Sequence, residues 1–166
     1  MAAIREEMEE LRRQLEKGAI QKAYRALIGY MMGLRTELKT RHPEFAVSGL
    51  YQGYLDMTYF ALFPPGLQAR KLKIAIVFNY DAFRFEAWLS GSNRKVQQET
   101  WELFKDGQWP GYRVVAPGKG IDSILECDLV TEVDLDDKDA LTARIETTTL
   151  AFIDDIERFL AEQPPS

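Results

Sequence analysis

The chain has 166 residues, 46% hydrophobic and 28% charged, with a net charge of -5. That length suits one domain with an ordinary apolar core. An acidic balance argues against a general nucleic-acid binder, which carries a basic face. One cysteine, Cys127, and one histidine, His42, exclude an intramolecular disulfide, a Cys-rich zinc site and any site built from several histidines. A Ser-His-Asp or Cys-His pair would have to use His42. No apolar run approaches the roughly 18 residues of a membrane span. The N-terminal stretch MAAIREEMEELRRQLEKG is charged and periodic, unlike the apolar centre of a signal peptide. The expected compartment is the cytoplasm, with no membrane partner.

Ile4, Met8, Leu11 and Leu15 recur at helical spacing and predict an amphipathic helix over 1–17. Two heptads are too few for a coiled coil. The stripe either packs on its own domain or forms the seam of a homodimer. Gly18 breaks the pattern. A second helix over 19–40 places Ile20, Tyr24, Leu27, Ile28, Met31, Leu34 and Leu38 on one side. It ends before His42-Pro43, because proline disfavours helical geometry in the residue before it.

Residues 49 to 63 read as one long strand. Tyr51, Gly53, Leu55, Met57, Tyr59, Ala61 and Phe63 form a largely apolar face; Gln52, Tyr54, Asp56, Thr58 and Phe60 form a mixed one. Pro64-Pro65-Gly66 ends it. Residues 71 to 90 read as a hairpin turning at Tyr80-Asp81. A two-residue turn pairs Phe78 with Phe83, Ile76 with Phe85, Ile74 with Ala87 and Leu72 with Leu89. A one-residue slip would destroy this match. The opposite face pairs Val77 with Arg84, Ala75 with Glu86 and Lys73 with Trp88.

Ser92 or Asn93 caps a helix over 93–106, with Val96, Thr100, Leu103 and Phe104 as its buried stripe. Tyr112 to Val115 is a short strand and APGKG, 116 to 120, a turn. The alternation over 122–133 sets Leu125, Cys127 and Leu129 against Glu126 and Asp128. The acidic run DLDDKD opens a last helix over 137–161, where negative charge suits the N-terminus. The tail QPPS is expected to fray. The order is ααβββαββα. It predicts a single α+β domain over 1–166, with a mostly antiparallel sheet of about five strands spanning 49–133 and helices packed on it.

No strong catalytic motif is present. GKG at 118 to 120 lacks the full phosphate-loop pattern. SGSNRK, 90 to 95, lies where backbone N–H groups can bind an anion, helped by Arg94 and Lys95; an ordinary capped helix start is the bland alternative. The mixed sheet face gathers Tyr54, Asp56, Lys73, Arg84, Glu86 and Trp88, and Glu126 and Asp128 extend it. Acids beside a lysine on adjacent strands can hold a divalent metal and activate water. The same set can be an ion-pair network, which buried carboxylates need. In that case Asp56 pairs with Lys73 or Arg84. His42 is read as neither ligand nor base, Cys127 as core, and Trp101 and Trp109 as packing.

GYLDMTYF (53 to 60) and LKIAIVFNYDAFRFEAWLSGSNRKVQ (72 to 97) resemble an uncharacterised bacterial family of small single-domain proteins. The shared positions are Tyr54, Asp56, Tyr59, Phe85, Glu86, Trp88, Leu89 and Asn93. That resemblance implies no activity. The order αβββαβ is similar to restriction-endonuclease-like folds and to accessory domains found beside them. Those enzymes place an acid on the second strand and E-x-K on the third. Here the triplet is Glu86-Ala87-Trp88, and no acid precedes Asp81, so fold order alone carries no nuclease function.

The leading expectation is a non-catalytic domain that binds a small molecule or a protein partner, without a cofactor. Its candidate surface is Tyr54, Asp56, Lys73, Arg84, Glu86 and Trp88, with Asn93 at the helix start. The alternatives are a metal-dependent hydrolase or degenerate nuclease, with Asp56 and Glu86 holding a divalent metal, and a structural homodimer through Ile4, Met8, Leu11 and Leu15.

Overall fold

The computed structural model describes residues 2–163; Met1 and 164–166, the last three residues of the QPPS tail expected to fray, lie outside it. Two helices open the chain, α1 (Ala2–Lys17) and α2 (Ala19–Arg41). Gly18 separates them at φ 77°, a left-handed conformation that glycine adopts without a side-chain clash. The α2 face of Leu27, Tyr30, Met31, Leu34 and Leu38 is buried. The α1 stripe is not. Its exposure runs from 41% at Leu15 to 60% at Ile4, and none of its residues joins the core or the shell packed on it. The expectation that α1 packs on its own domain is therefore overturned. At the end of α2, His42 Nε2 lies 2.9 Å from Glu146 Oε2 and the ring stacks on Phe45, a structural role.

A short β1 (Ala46–Val47) precedes the long strand expected over 49–63, which is itself two pieces, β2 (Tyr51–Gln52) and β3 (Met57–Phe63). β2 folds back on β3, pairing Tyr51 with Tyr59 and Gln52 with Thr58. The reversal occupies 53 to 56. Gly53 N–H donates to the Met57 carbonyl at 2.9 Å, Asp56 Oδ1 accepts from Met57 N–H at 2.7 Å, and Leu55 takes a left-handed φ of 59°. A Cβ on Gly53 would run into the Asp56 carboxylate and the Met57 carbonyl oxygen, so the turn requires glycine. The expected faces of this strand are also exchanged, since Thr58, Phe60 and Leu62 point to the core.

A short α3 (Pro65–Gln68) leads into the hairpin of β4 (Leu72–Asn79) and β5 (Arg84–Gly91). The true register is Phe78 with Phe85, Ile76 with Ala87, Ile74 with Leu89, Val77 with Glu86, Ala75 with Trp88 and Lys73 with Ser90. It is two residues from the expected one. Because side chains alternate with period two, this slip keeps every residue on its face. The cause is a four-residue reversal, Tyr80 to Phe83, in which Phe83 has a φ of 54°. Then follow α4 (Arg94–Phe104), β6 (Tyr112–Val114), β7 (Leu125–Val130) and α5 (Lys138–Ala161). Asn93 caps α4 by accepting from Val96 N–H at 2.9 Å, and Asp137 caps α5 from Ala140 N–H; each cap contributes about 1 kcal/mol.

The result is α+β, with seven strands in the order β1-β3-β4-β5-β7-β6 and β2 set against β3, every pairing antiparallel. One face carries Phe60, Ile76, Phe85, Ala87, Leu89 and Leu125, all buried. α2 and α5 lie on it: Tyr30 meets Phe85 edge-on, Phe152 meets Tyr112, and Tyr30 hydroxyl bonds Thr142 at 2.9 Å to join the helices. The other face is built differently.

Candidate functional site

On that second face the cross-strand rows are Tyr59, Val77, Glu86 and Asp128, then Ala61, Ala75, Trp88, Glu126 and Arg113. The parity of the pleat puts them there. Glu86 has 0% exposure, and a buried carboxylate must be compensated. Its compensation is complete. Oε2 accepts from Arg84 Nε at 2.7 Å and Asn79 Nδ2 at 3.2 Å. Oε1 accepts from Trp88 Nε1 at 2.8 Å and Arg113 Nη2 at 3.4 Å. Arg113 continues to Glu126 at 3.2 Å, and Ser123 hydroxyl donates to Glu126 at 2.6 Å. Asp128 Oδ1 lies 2.9 Å from Arg113 Nη1 and 3.3 Å from Arg84 Nε. No well-directed hydrogen bond reaches that oxygen, so its attraction to the two guanidinium groups is ionic. Burial works against the Arg113 charge, but Asp128 and Glu126 outweigh it and hold its pKa up.

This network has a structural consequence for Trp88. Its indole N–H is anchored to a carboxylate that cannot move, so the half-buried ring stands at a set angle beside the open part of the face. There the sheet, the 117–122 loop and the start of α4 enclose a cleft of about 600 Å³. Trp88, Tyr59 and Val77 belong to its floor; Lys73, Arg94 and Lys119 bring positive charge and Asp122 negative charge. None of the three cations forms an ion pair with another of the described residues. Burial, and then the Asp122 charge, push the Tyr59 phenol up.

The α4 end of the cleft is close-packed against β5. Gly91 N–H donates to Gln97 Oε1 at 2.8 Å. A Cβ on Gly91 would sit 2.8 Å from Gln97 N, so only glycine lets the helix approach. Gln97 is buried and lines the cleft, and its Nε2 has no hydrogen-bond partner. Unsatisfied buried donors are rare in folded proteins.

Of the residues expected to form the site, Lys73, Trp88 and Asn93 line the cleft. Glu86 and Arg84 stand behind it in the network. Tyr54 and Asp56 do not join them. Both are exposed in the β2–β3 reversal, with Tyr54 fully so, and Asp56 forms no ion pair among the described residues, with Lys73, Arg84 or otherwise. Its carboxylate serves its own turn. The expected pairing of Asp56 with Lys73 or Arg84 is thus corrected, because the chain reverses before reaching that row. The metal alternative on Asp56 and Glu86 loses its geometry as well. Every oxygen of Glu86 is taken, and among the described residues no group of three or more ligating side chains could hold a metal ion. In the Glu86-Ala87-Trp88 triplet the tryptophan donates to the glutamate. Arg113, Ser123, Gln97 and Lys119 were missed. Arg113 alone carried a usable signal: it is the one charge in a short strand whose neighbours Tyr112 and Val114 are apolar.

Fold and cleft together define an α+β domain whose antiparallel sheet buries one face under helices and keeps a polar, aromatic hollow on the other. The chain belongs to the family of the domain of unknown function DUF7000, whose model matches residues 4–160. No curated protein and no solved structure matches it. Among the described residues no helix is long and apolar enough to cross a membrane.

Proposed function

We propose that this domain is a non-catalytic binding module whose cleft takes a small anionic ligand carrying a flat ring. The observation that carries this reading is the cleft itself: Trp88, set by the buried Glu86, faces a hollow that holds Lys73, Arg94 and Lys119 without paired carboxylates. A concave site of several hundred Å³ with aromatic walls and a few convergent polar groups suits a small molecule. Aromatic faces favour planar groups. The cations and the α4 N-terminus favour negative charge.

Titration calorimetry with adenosine monophosphate, adenosine and inorganic phosphate tests the reading. Adenosine monophosphate stands for the combined chemistry and the other two for its halves. The expected result is binding of the nucleotide, tighter than either half, weakened about tenfold in Lys73→Ala, the scale of one lost charged hydrogen bond. Trp88→Ala weakens nucleotide and adenosine but leaves phosphate unchanged. Nucleotide binding that survives both substitutions in folded protein, or no binding of any of the three, would overturn it.

A further inference from the structure

Two apolar surfaces of this chain face water. One is the α1 stripe of Ile4, Met8, Leu11 and Leu15. The other is a groove of about 420 Å³ on the opposite side of Gly18, walled by Ile20, Tyr24, Leu55, Phe83 and Leu135. Leu55 and Phe83 are both 62% exposed. Both are also held in left-handed backbone conformations, φ 59° and 54°, which bulky residues seldom adopt. Two loops thus turn large apolar side chains outward at one place.

We propose that the α1 helix of a second copy of this chain lies in this groove, reciprocally, so that two copies exchange their first helices about a two-fold axis. The chain's own α1 cannot reach it. α1 and α2 are joined by Gly18 alone, whereas an antiparallel helix pair needs a loop of about 2–5 residues, and the groove begins at Ile20. A helix of 16 residues standing in water is marginal by itself, so it gains most from a partner. Charge selects the fit. On the helical wheel Arg5 and Arg12 flank one shoulder of the stripe, Arg12 within 3.2 Å of Glu16 on the exposed helix surface, and Asp134 and Asp136 line the groove. A self-complementary exchange buries the stripe and the groove of each copy together, which four apolar residues per helix in a bare helix pair would not. This surface is separate from the cleft, so the inference stands or falls without the ligand.

Light scattering on the full chain, from low to high micromolar concentration, tests it. The expected result is twice the mass of one chain for the natural sequence. The stripe variant Met8→Glu/Leu11→Glu and the groove variant Phe83→Glu should each give the single-chain mass, with circular dichroism showing that α2 to α5 stay folded. Asp134→Arg/Asp136→Arg should weaken association at least tenfold, and adding Arg5→Asp/Arg12→Asp should restore it. A natural chain that stays single at high concentration would overturn the inference. So would a groove variant that still pairs while the stripe variant does not, since that result belongs to a simple helix-on-helix dimer.

Discussion

Phe85 and Glu86 are consecutive in β5, and neither is reached by water. Phe85 points to the face under α2 and α5, where Tyr30 and Phe78 touch it. Glu86 points to the face with the cleft and is held there by Arg84, Arg113, Trp88 and Asn79. The first face is stabilised by area removed from water. The second is stabilised far less, because the attraction within a buried ionic network is largely offset by desolvation. A sheet that needed only stability would cover both faces with apolar residues. Here one face holds the fold and the other holds Trp88 in place beside a hollow.

Substitutions on the two faces should therefore differ in kind. Phe85→Ala leaves a cavity among rings and should cost about 3–5 kcal/mol of unfolding free energy, read by urea denaturation, with little effect on nucleotide affinity in protein that remains folded. Glu86→Gln keeps the shape but removes the charge shared by two guanidinium groups, leaving Arg84 with Asp128 and Arg113 with Asp128 and Glu126. Both arginines are partly exposed and can recover water, so the cost should be about 2 kcal/mol rather than the full penalty of a buried broken pair. Its mark is elsewhere: Trp88 loses its charged acceptor, and nucleotide affinity should fall about tenfold. A Glu86→Gln protein as destabilised as Phe85→Ala but with unchanged affinity would erase the distinction.

Gly91→Ala sharpens it from the α4 side. The added methyl meets the α4 backbone, which cannot rotate away as a side chain can. A loss of about 1–3 kcal/mol is expected, accompanied by weaker ligand binding, because α4 would be displaced from the cleft rim.

The smallest effect is at alkaline pH, and it belongs to the apolar face. Burial pushes the Cys127 thiol from 9.0 up to about 12 and the Tyr30 phenol from 10.0 up to about 12. The unfolded chain ionises these groups first, so the folded state keeps more protons between the two values and stability falls as pH rises through that window. Below pH 9 this contribution is fully present. Thermal midpoints measured from pH 8 upward should decline, and Cys127→Ala should make the first part of that decline shallower.

Much of the helix-covered face was legible in the sequence. Alternation in 72–79 and 84–91 gave the correct sides, and helical spacing gave Leu27, Met31, Leu34 and Leu38 of α2, though it omitted the buried Tyr30 and included Ile20, which is exposed. Alternation fixes the register only modulo two and cannot detect a slip of two residues, and the turn carried no punctuation, because Phe83 looks like a strand residue while sitting in a left-handed reversal. The same fault hid the β2–β3 turn. Tyr54 and Leu55 read as strand residues and only Gly53 hinted at a reversal, so Asp56 was placed on a row it never joins. The cleft was half legible. Lys73, Trp88 and Asn93 were expected; Gln97, Lys119 and Asp122 come from a helix and a loop that only the fold brings together.

The most direct test of the central claim is a nitrogen-15 NMR titration of the natural chain with adenosine monophosphate, following the Trp88 indole N–H. The account predicts that this signal, identified by its loss in Trp88→Phe, shifts and saturates together with the amides of residues 91–97 and 117–122. Saturating shifts confined to the β2–β3 turn or to α1, with the Trp88 indole unmoved, would contradict it.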